Sequence, residues 1–227
     1  MPFLLALDSS TDTMAVALVT PAQTRVFEAA GGAQASARLL PEVKALLAEA
    51  GVTLAELEAV AFGQGPGAFT GLRTACAVAQ GLAFGLGKPV LAVDSLMLVA
   101  EDARAQGAGD DVWVAMDARM GEIYAAHYRH DGGSWQVLDA PALYAPAALA
   151  AHWGRPAAAA GSALTEYAEA LGPVAPAWPQ ARSRAAALGA LALAAWQRGE
   201  TRDAAEALPV YIRDKVALTT AEREQRA

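Results

Sequence analysis

Apolar positions along the first hundred residues switch between two periods. Residues 3–7 form a short apolar run, 8–12 read Asp-Ser-Ser-Thr-Asp, 14–19 are apolar again, and 25–29 look β-like. The pattern predicts a strand, a tight polar turn and two more strands in a meander. From Ser36 the period lengthens. Leu39, Leu40, Val43, Leu46, Leu47 and Ala50 recur at helical spacing, Glu42 and Glu49 lie off that stripe, and Gly51 supplies the stop. A strand is expected over 58–62, then a glycine-rich run over 63–73, a helix over 74–86 ended by Lys88-Pro89, and a strand over 90–93. Within that helix Ala75, Ala77, Ala79, Gly81, Ala83 and Gly85 leave small or apolar side chains on nearly every face. A helix of this kind is buried in a core or against another protein.

The second half opens the same way. Residues 112–116 are an apolar strand ending at Asp117, a turn follows over 118–122, and 123–128 form another strand. Both halves therefore read strand, aspartate, tight turn, strand, with no sequence identity between them, so the expected repeat is one of topology. Gly132-Gly133 marks a hairpin before a strand over 135–138. A short strand is expected over 157–160, closed by Gly161-Ser162, and an alanine-rich helix over 184–198. The loop-like residues 103–111 place the boundary between halves.

Composition narrows the function. A chain of 227 residues that is 55% hydrophobic and 18% charged is not disordered, and much of the apolar count is alanine, so a core of small side chains is expected. Seventeen basic against twenty-four acidic residues give a net charge of -7, a field that repels phosphate and argues against nucleic-acid binding through a broad basic face. Cys76 is the one cysteine and forms no internal disulfide. His127, His130 and His152 make no H-E-x-x-H or H-x-x-x-H pair, so no histidine-based metal centre and no cofactor are expected. Met1-Pro2-Phe3 carries no basic leader, and no uncharged stretch is long enough for a bilayer. A soluble, cytoplasmic protein is the expectation.

Two segments carry candidate chemistry. Asp8, Ser9, Ser10 and Thr11 follow a buried strand, where hydroxyls and free amides suit phosphate and the carboxylate suits a magnesium-bound water; the alternative is a plain hairpin turn. The run Gly65, Pro66, Gly67, Ala68, Phe69, Thr70, Gly71, Leu72, Arg73 is costly in conformational freedom. Thr70 stands where a helix N-cap belongs, so the loop would aim helix amides above a strand end. It is neither a Walker loop nor a nucleophile elbow. Cys76 reads as a small buried hydrophobe, His127 and His130 as exposed, and Glu122 as a general base without an evident partner.

The run Gly65–Arg73 resembles the signature of the TsaB family (also called YeaZ), bacterial subunits of the machinery that makes threonylcarbamoyladenosine in tRNA. Supporting pieces are Leu5-Ala-Leu-Asp-Ser-Ser-Thr11, Arg38-Leu-Leu-Pro41, Asp117-Ala-Arg-Met-Gly-Glu-Ile-Tyr124 and Pro209-Val-Tyr-Ile-Arg213. The chain departs from the family at Ala35-Ser36-Ala37, where a histidine is frequent. The resemblance implies an α/β, actin/sugar-kinase/Hsp70-like (ASKHA, ribonuclease H-like) fold. Its lobes would be residues 1–103 and a smaller, degenerate 104–218 whose C-terminal helix packs back on the first, with a polar tail over 219–227.

By the same resemblance the chain is a non-catalytic relative of TsaD, the subunit that transfers threonylcarbamoyl to adenosine 37. Its partners would be a TsaD-like catalytic subunit, a TsaE-like ATPase and, when alone, a second copy, with tRNA met only through the complex and no membrane. An ASKHA-type ATPase or phosphotransferase using Asp8 is the alternative. A glycopeptidase would need a metal-ligand set that three scattered histidines do not supply. Apolar surface beyond what one sheet can cover points to the two first-lobe helices as the interface, with Leu39, Val43, Leu46, Ala75, Ala79, Leu82 and Ala83 as its candidate residues.

Overall fold

A computed structural model describes residues 2–213. The polar tail over 219–227 and the end of the second lobe lie outside the described residues. Two five-stranded sheets follow one another along the chain. The first holds β1 (Leu4–Asp8), β2 (Thr13–Val19), β3 (Thr24–Ala30), β4 (Ala59–Gly65) and β5 (Val90–Asp94), in the order β3-β2-β1-β4-β5. The second holds β6 (Asp111–Asp117), β7 (Ile123–Asp131), β8 (Ser134–Tyr144), β9 (Ala159–Ala160) and β10 (Ala177–Trp178), in the order β8-β7-β6-β9-β10. In each, the first three strands are antiparallel and the last two run parallel to the first.

The helices repeat as well. α1 (Ala35–Ala50), α2 (Phe69–Leu86) and α3 (Ser95–Ala105) follow β3, β4 and β5. In the second half α4 (Pro146–Trp153) follows β8, α5 (Ala163–Glu166) and α6 (Ala168–Leu171) follow β9, and α7 (Arg184–Gln197) follows β10. This doubled β-β-β-α-β-α-β-α unit is the ASKHA, ribonuclease H-like fold, with the second copy cut down to two-residue strands at its parallel edge.

The strand β1 is buried at every position, and apolar up to its terminal Asp8, because the first sheet is covered on both faces. Leu5, Leu7, Val16, Leu18, Val60 and Phe62 face α1 and α2. Leu4, Ala6, Ala17, Val19, Ala59 and Ala61 face α3 and α7. The second face shows why the chain is rich in alanine: α7 lies close on the sheet, and a Cβ on Gly189 would stand 3.0 Å from Thr24 Cγ2 and 3.3 Å from Ala17 Cβ. The edge strand β3 alternates exposed and half-buried positions.

The helix α3 serves both sheets. Leu98 packs on the first, whereas Leu96, Val99, Ala100 and Ala103 pack on Val112, Val114, Ala126 and Tyr128 of the second. Its N-cap is Asp94, whose Oδ1 accepts from Leu96 N (2.8 Å) and Met97 N (3.3 Å). The far face of the second sheet is covered by α4 and α5 around Trp113, Ile123, Leu149 and Trp153. Gly51 and Gly87 end α1 and α2 in the left-handed conformation. Among the described residues no helix is long and apolar enough to cross a membrane.

Candidate functional site

The central strand of each sheet ends on an aspartate: Asp117 lines a cleft between the lobes, whereas Asp8 is fully buried behind Ser10 and Thr11, which do line it. A cavity of about 610 Å³ occupies it, lined by Ser10, Thr11 and Asp12 from the first lobe and Asp117, Arg119 and Ser162 from the second, among others.

In the first lobe the turn after β1 folds inward. Asp8, Ser9 and Ser10 are all buried, and Thr11 is half-buried. Asp8 Oδ2 accepts from Arg184 Nη2 (2.9 Å) and Ser10 Oγ (3.0 Å), and Oδ1 accepts from Ser10 N (3.3 Å). Arg184, the first residue of α7, also donates to Ser10 Oγ at 3.3 Å, and its Nε is buried without a partner. Within the candidate phosphate turn Asp8 is therefore closed into an ion pair, while Ser10 and Thr11 line the cavity.

The glycine-rich run wraps this turn, and its glycines have steric causes. A Cβ on Gly71 would collide with the Ser9 carbonyl, and one on Gly67 would stand 2.5 Å from the Ser10 carbonyl. Gly65, at φ +113°, leaves 2.6 Å between its Cβ position and the Val210 carbonyl. Ser9 Oγ donates to Gly71 O (2.8 Å), and Ala68 N donates to Ser10 O (2.7 Å). Pro66 is buried. Thr70 is not the N-cap: α2 begins at Phe69 with Ala68 in the cap position and no capping side chain, so Thr70 already lies in the first turn of the helix. Arg73 lies over the Phe69 ring (3.7 Å to its centroid), and its Nε donates to Tyr211 Oη at 3.0 Å.

In the second lobe Asp117 Oδ1 accepts from Arg119 N (2.8 Å) and Tyr167 Oη (2.9 Å), while Asp117 N donates to Ser162 Oγ (3.1 Å). The Arg119 guanidinium pairs with Asp117 at 3.1 Å and crosses the cleft to Asp12 at 2.7 Å. Arg119 and Met120 both have positive φ (62° and 60°), a strained setting for long side chains that turns them into the cleft. Burial, then the hydrogen bond to Asp117, pushes the Tyr167 phenol above its ordinary value. Beneath the cleft, burial raises the Asp94 carboxyl against the opposing hydrogen bond from Tyr128 (2.7 Å), and burial holds the Tyr128 phenol well above 10.

Several expected residues lie elsewhere. Leu39, Val43, Leu46, Ala75, Ala79 and Ala83 are buried in the lobe's own core, and Leu82 is half-buried against it. Six of these seven side chains therefore have little or no free surface in the isolated chain, and Leu82 is the one left partly open. The faces of α1 and α2 that remain open carry Leu40 and Phe84, the latter 75% exposed, beside Ala45, Ala77, Gly81 and Gly85. His127 and His130 are half-buried rather than exposed, because β7 is an inner strand; His127 stacks on Trp113 with centroids 4.8 Å apart. Glu122 does have a partner, Arg213 at 2.6 Å. Cys76 is buried, its thiol donating to Ala207 O (3.3 Å), and burial raises its pKa.

Arg184 and the roles of Arg119, Tyr211 and Arg213 were not legible in the sequence. Arginine at the start of an alanine-rich helix carries no local signal, and Pro209–Arg213 could be noticed only as a recurring piece. Among the described residues no three His, Cys, Asp or Glu side chains converge as a metal site would need.

A family model described as TsaD, tRNA N6-adenosine threonylcarbamoyltransferase, matches residues 17–180. The chain is 36% identical over 144 residues to the tRNA threonylcarbamoyladenosine biosynthesis protein TsaB of Escherichia coli, covering 63% of this chain and 62% of that protein. It is 40% identical over 121 residues to the protein of the same name from Haemophilus influenzae, covering 53% and 51%. The matched stretches thus span less than two thirds of these curated relatives. A solved structure, YeaZ from Pseudomonas aeruginosa, superposes with a TM-score of 0.85 at 40% identity over 93% of this chain and 100% of that one.

Proposed function

The chain belongs to the TsaB/YeaZ family, and from that premise we propose that it is a non-catalytic subunit in the threonylcarbamoylation of tRNA adenosine. It binds a TsaD-like catalytic subunit and supports the ATP-hydrolysing step of a TsaE-like partner in the cytoplasm. Alone it forms a homodimer, and it meets tRNA through the complex, since a net charge of -7 disfavours direct binding.

The observation that carries this reading is the state of the two strand-end aspartates. A two-lobed fold that moved phosphate would need Asp8 or Asp117 free to hold a metal-bound water. Arg184 and Arg119 occupy them instead, at 2.9 and 3.1 Å. This weighs against the ATPase or phosphotransferase alternative more strongly than the glycine pattern did.

The open faces of α1 and α2 support an association role. Gly81 and Gly85 have nothing within 4 Å of their Cβ positions, and with Ala77 they make a smooth ridge beside Phe84 on which another helix can pack closely. The test is assembly with a TsaD-like subunit, followed by sedimentation. Phe84→Glu should leave the fold intact and abolish both the homodimer and the mixed complex, because it places a charge in a desolvated seam. Ala79→Arg should unfold the lobe, since Ala79 has no exposed surface. A folded Phe84→Glu variant that still assembles would remove α2 from the interface. Tight magnesium–ATP binding by the chain alone, read by calorimetry, would favour the alternative.

A further inference from the structure

Beyond α7 the chain runs back along α2 and then crosses to the other lobe. Arg202 pairs with Val90 at the sheet edge, Gln80 Nε2 donates to Ala204 O (3.0 Å), and Val210 N donates to Gln64 O (2.6 Å). Tyr211 packs against Phe69 with ring centroids 4.8 Å apart and the planes tilted by 37°. Two residues later Arg213 is seated in the second lobe. Its Nη1 donates to Ala118 O (2.9 Å), and its Nη2 donates to the Glu122 carboxylate (2.6 Å) and Arg119 O (3.2 Å). Val210, Tyr211, Ile212 and Arg213 thereby form one wall of the interlobe cavity.

We propose that residues 208–213 are a latch that fixes the angle between the lobes and closes the cavity, so that its release opens the cleft while both lobes stay folded. The two sides of the cleft are held by different physics. At its base the lobes share α3, packed on both sheets and reinforced by Tyr128 on Asp94 and by Trp135 Nε1 on Glu101 (2.9 Å). That side is the hinge.

At the mouth the ties are few and polar. Arg119–Asp12 joins two largely exposed side chains, a pair worth little in water. Among the described residues the other tie is the segment 208–213, whose outer surface is exposed at Leu208, Val210 and Tyr211. Their detachment uncovers little buried apolar area, which is what distinguishes a local opening from global unfolding. On the second-lobe side the anchor is chiefly one guanidinium with three oxygen acceptors and the Met120 sulfur, helped by Ile212 against the core.

The test uses the full chain with spin labels at Thr70→Cys and Thr165→Cys, exposed positions on opposite rims, in a Cys76→Ala background. Arg213→Ala should lengthen and broaden the label separation and speed amide exchange at Val210 by roughly tenfold or more, while Leu5 and Ala6 in β1 exchange as before. Tyr211→Ala attacks the other anchor and should open the cleft in the same way, which decides the matter if the first variant folds poorly. An unchanged separation and unchanged Val210 exchange overturn the proposal. So does an acceleration shared equally by Leu5 and Ala6, which would make these residues ordinary core.

Discussion

Replacing Arg184 with methionine isolates the buried ion pair at the head of the cleft. The side chain keeps most of its apolar stem and loses the cation that Asp8 faces. Asp8 is fully buried and the Arg184 side chain is 6% exposed, so solvent screens the pair little. Removing one member of such a pair typically costs about 3–5 kcal/mol, because the remaining charge stays buried without compensation. Asp8 retains two hydrogen bonds, from Ser10 N and Ser10 Oγ, which places the expectation near the lower end, about 3 kcal/mol. For a chain of this size that corresponds to a fall in Tm of about 6–12 °C. Urea unfolding followed by circular dichroism reads the change as a lower midpoint at constant m. Arg198→Met is the control, because its partner Glu200 lies at the surface and exposed pairs contribute only about 0–1 kcal/mol. Adding Asp8→Asn to Arg184→Met should restore part of the loss by removing the stranded charge. An Arg184→Met variant within about 1 kcal/mol of wild type would refute the reasoning, since Asp8 would then be stable without its cation.

Gly71→Ala should destabilise by about 1–3 kcal/mol, because its Cβ meets the rigid Ser9 carbonyl; a urea midpoint equal to wild type would show that the loop can yield. Gly81→Ala sits in the same helix with open space around it, so it should stabilise the isolated chain by about 0.5–1 kcal/mol on the same assay. Asp94 has a carboxyl pKa raised above 3.8 by burial, so the native state binds its proton more readily than the unfolded chain. Its contribution is fully present below 3.8 and is lost as pH rises through the folded pKa. The stability difference between wild type and Asp94→Asn should therefore move in favour of wild type as pH falls from neutral toward 3.8, and a pH-independent difference would contradict the shift.

The sequence announced the first lobe more clearly than the second, for a physical reason. Strands β1 and β4 are buried on both faces and read as apolar runs over residues 4–7 and 59–62, and α1 shows its stripe because its other face is wet. By contrast α3 packs on both sheets, so its Leu96, Leu98, Val99 and Ala100 make no single stripe, and the pattern predicts no element there. In the second lobe β9 and β10 are two residues each, and α5 and α6 four, too short to carry a period. The candidate turn at Asp8 was visible, but its meaning depends on Arg184, 176 residues away in sequence. Nothing local encodes such a contact. The small side chains of α2 divide between the sheet and the open face; the distinction lies between Ala79, buried, and Ala77, exposed, on one helix, and composition cannot draw it.

Arg184 stands at Asp8 because of how the two repeats exchange their last helices. By chain order α3 belongs to the first repeat and α7 to the second. Yet most of α3's apolar face packs on the second sheet, and α7 covers the first. The start of α7 is fixed from both sides: Asp102 of α3 accepts from Ser183 N (2.7 Å) and Arg182 N (2.9 Å), and Glu28 of β3 accepts from Ala185 N (2.8 Å) and Ser183 Oγ (2.9 Å). These charged acceptors hold the orphan amides of the helix N-terminus, where negative charge is favoured. The Arg184 backbone is thus clamped, and its guanidinium reaches Asp8 without freedom to leave. A catalytic carboxylate needs an open coordination position and a partner that can move with the reaction. Here the same contacts that dock α7 on the first sheet fill that position with a cation of the chain itself, so the packing that stabilises the lobe also supports the proposed non-catalytic role.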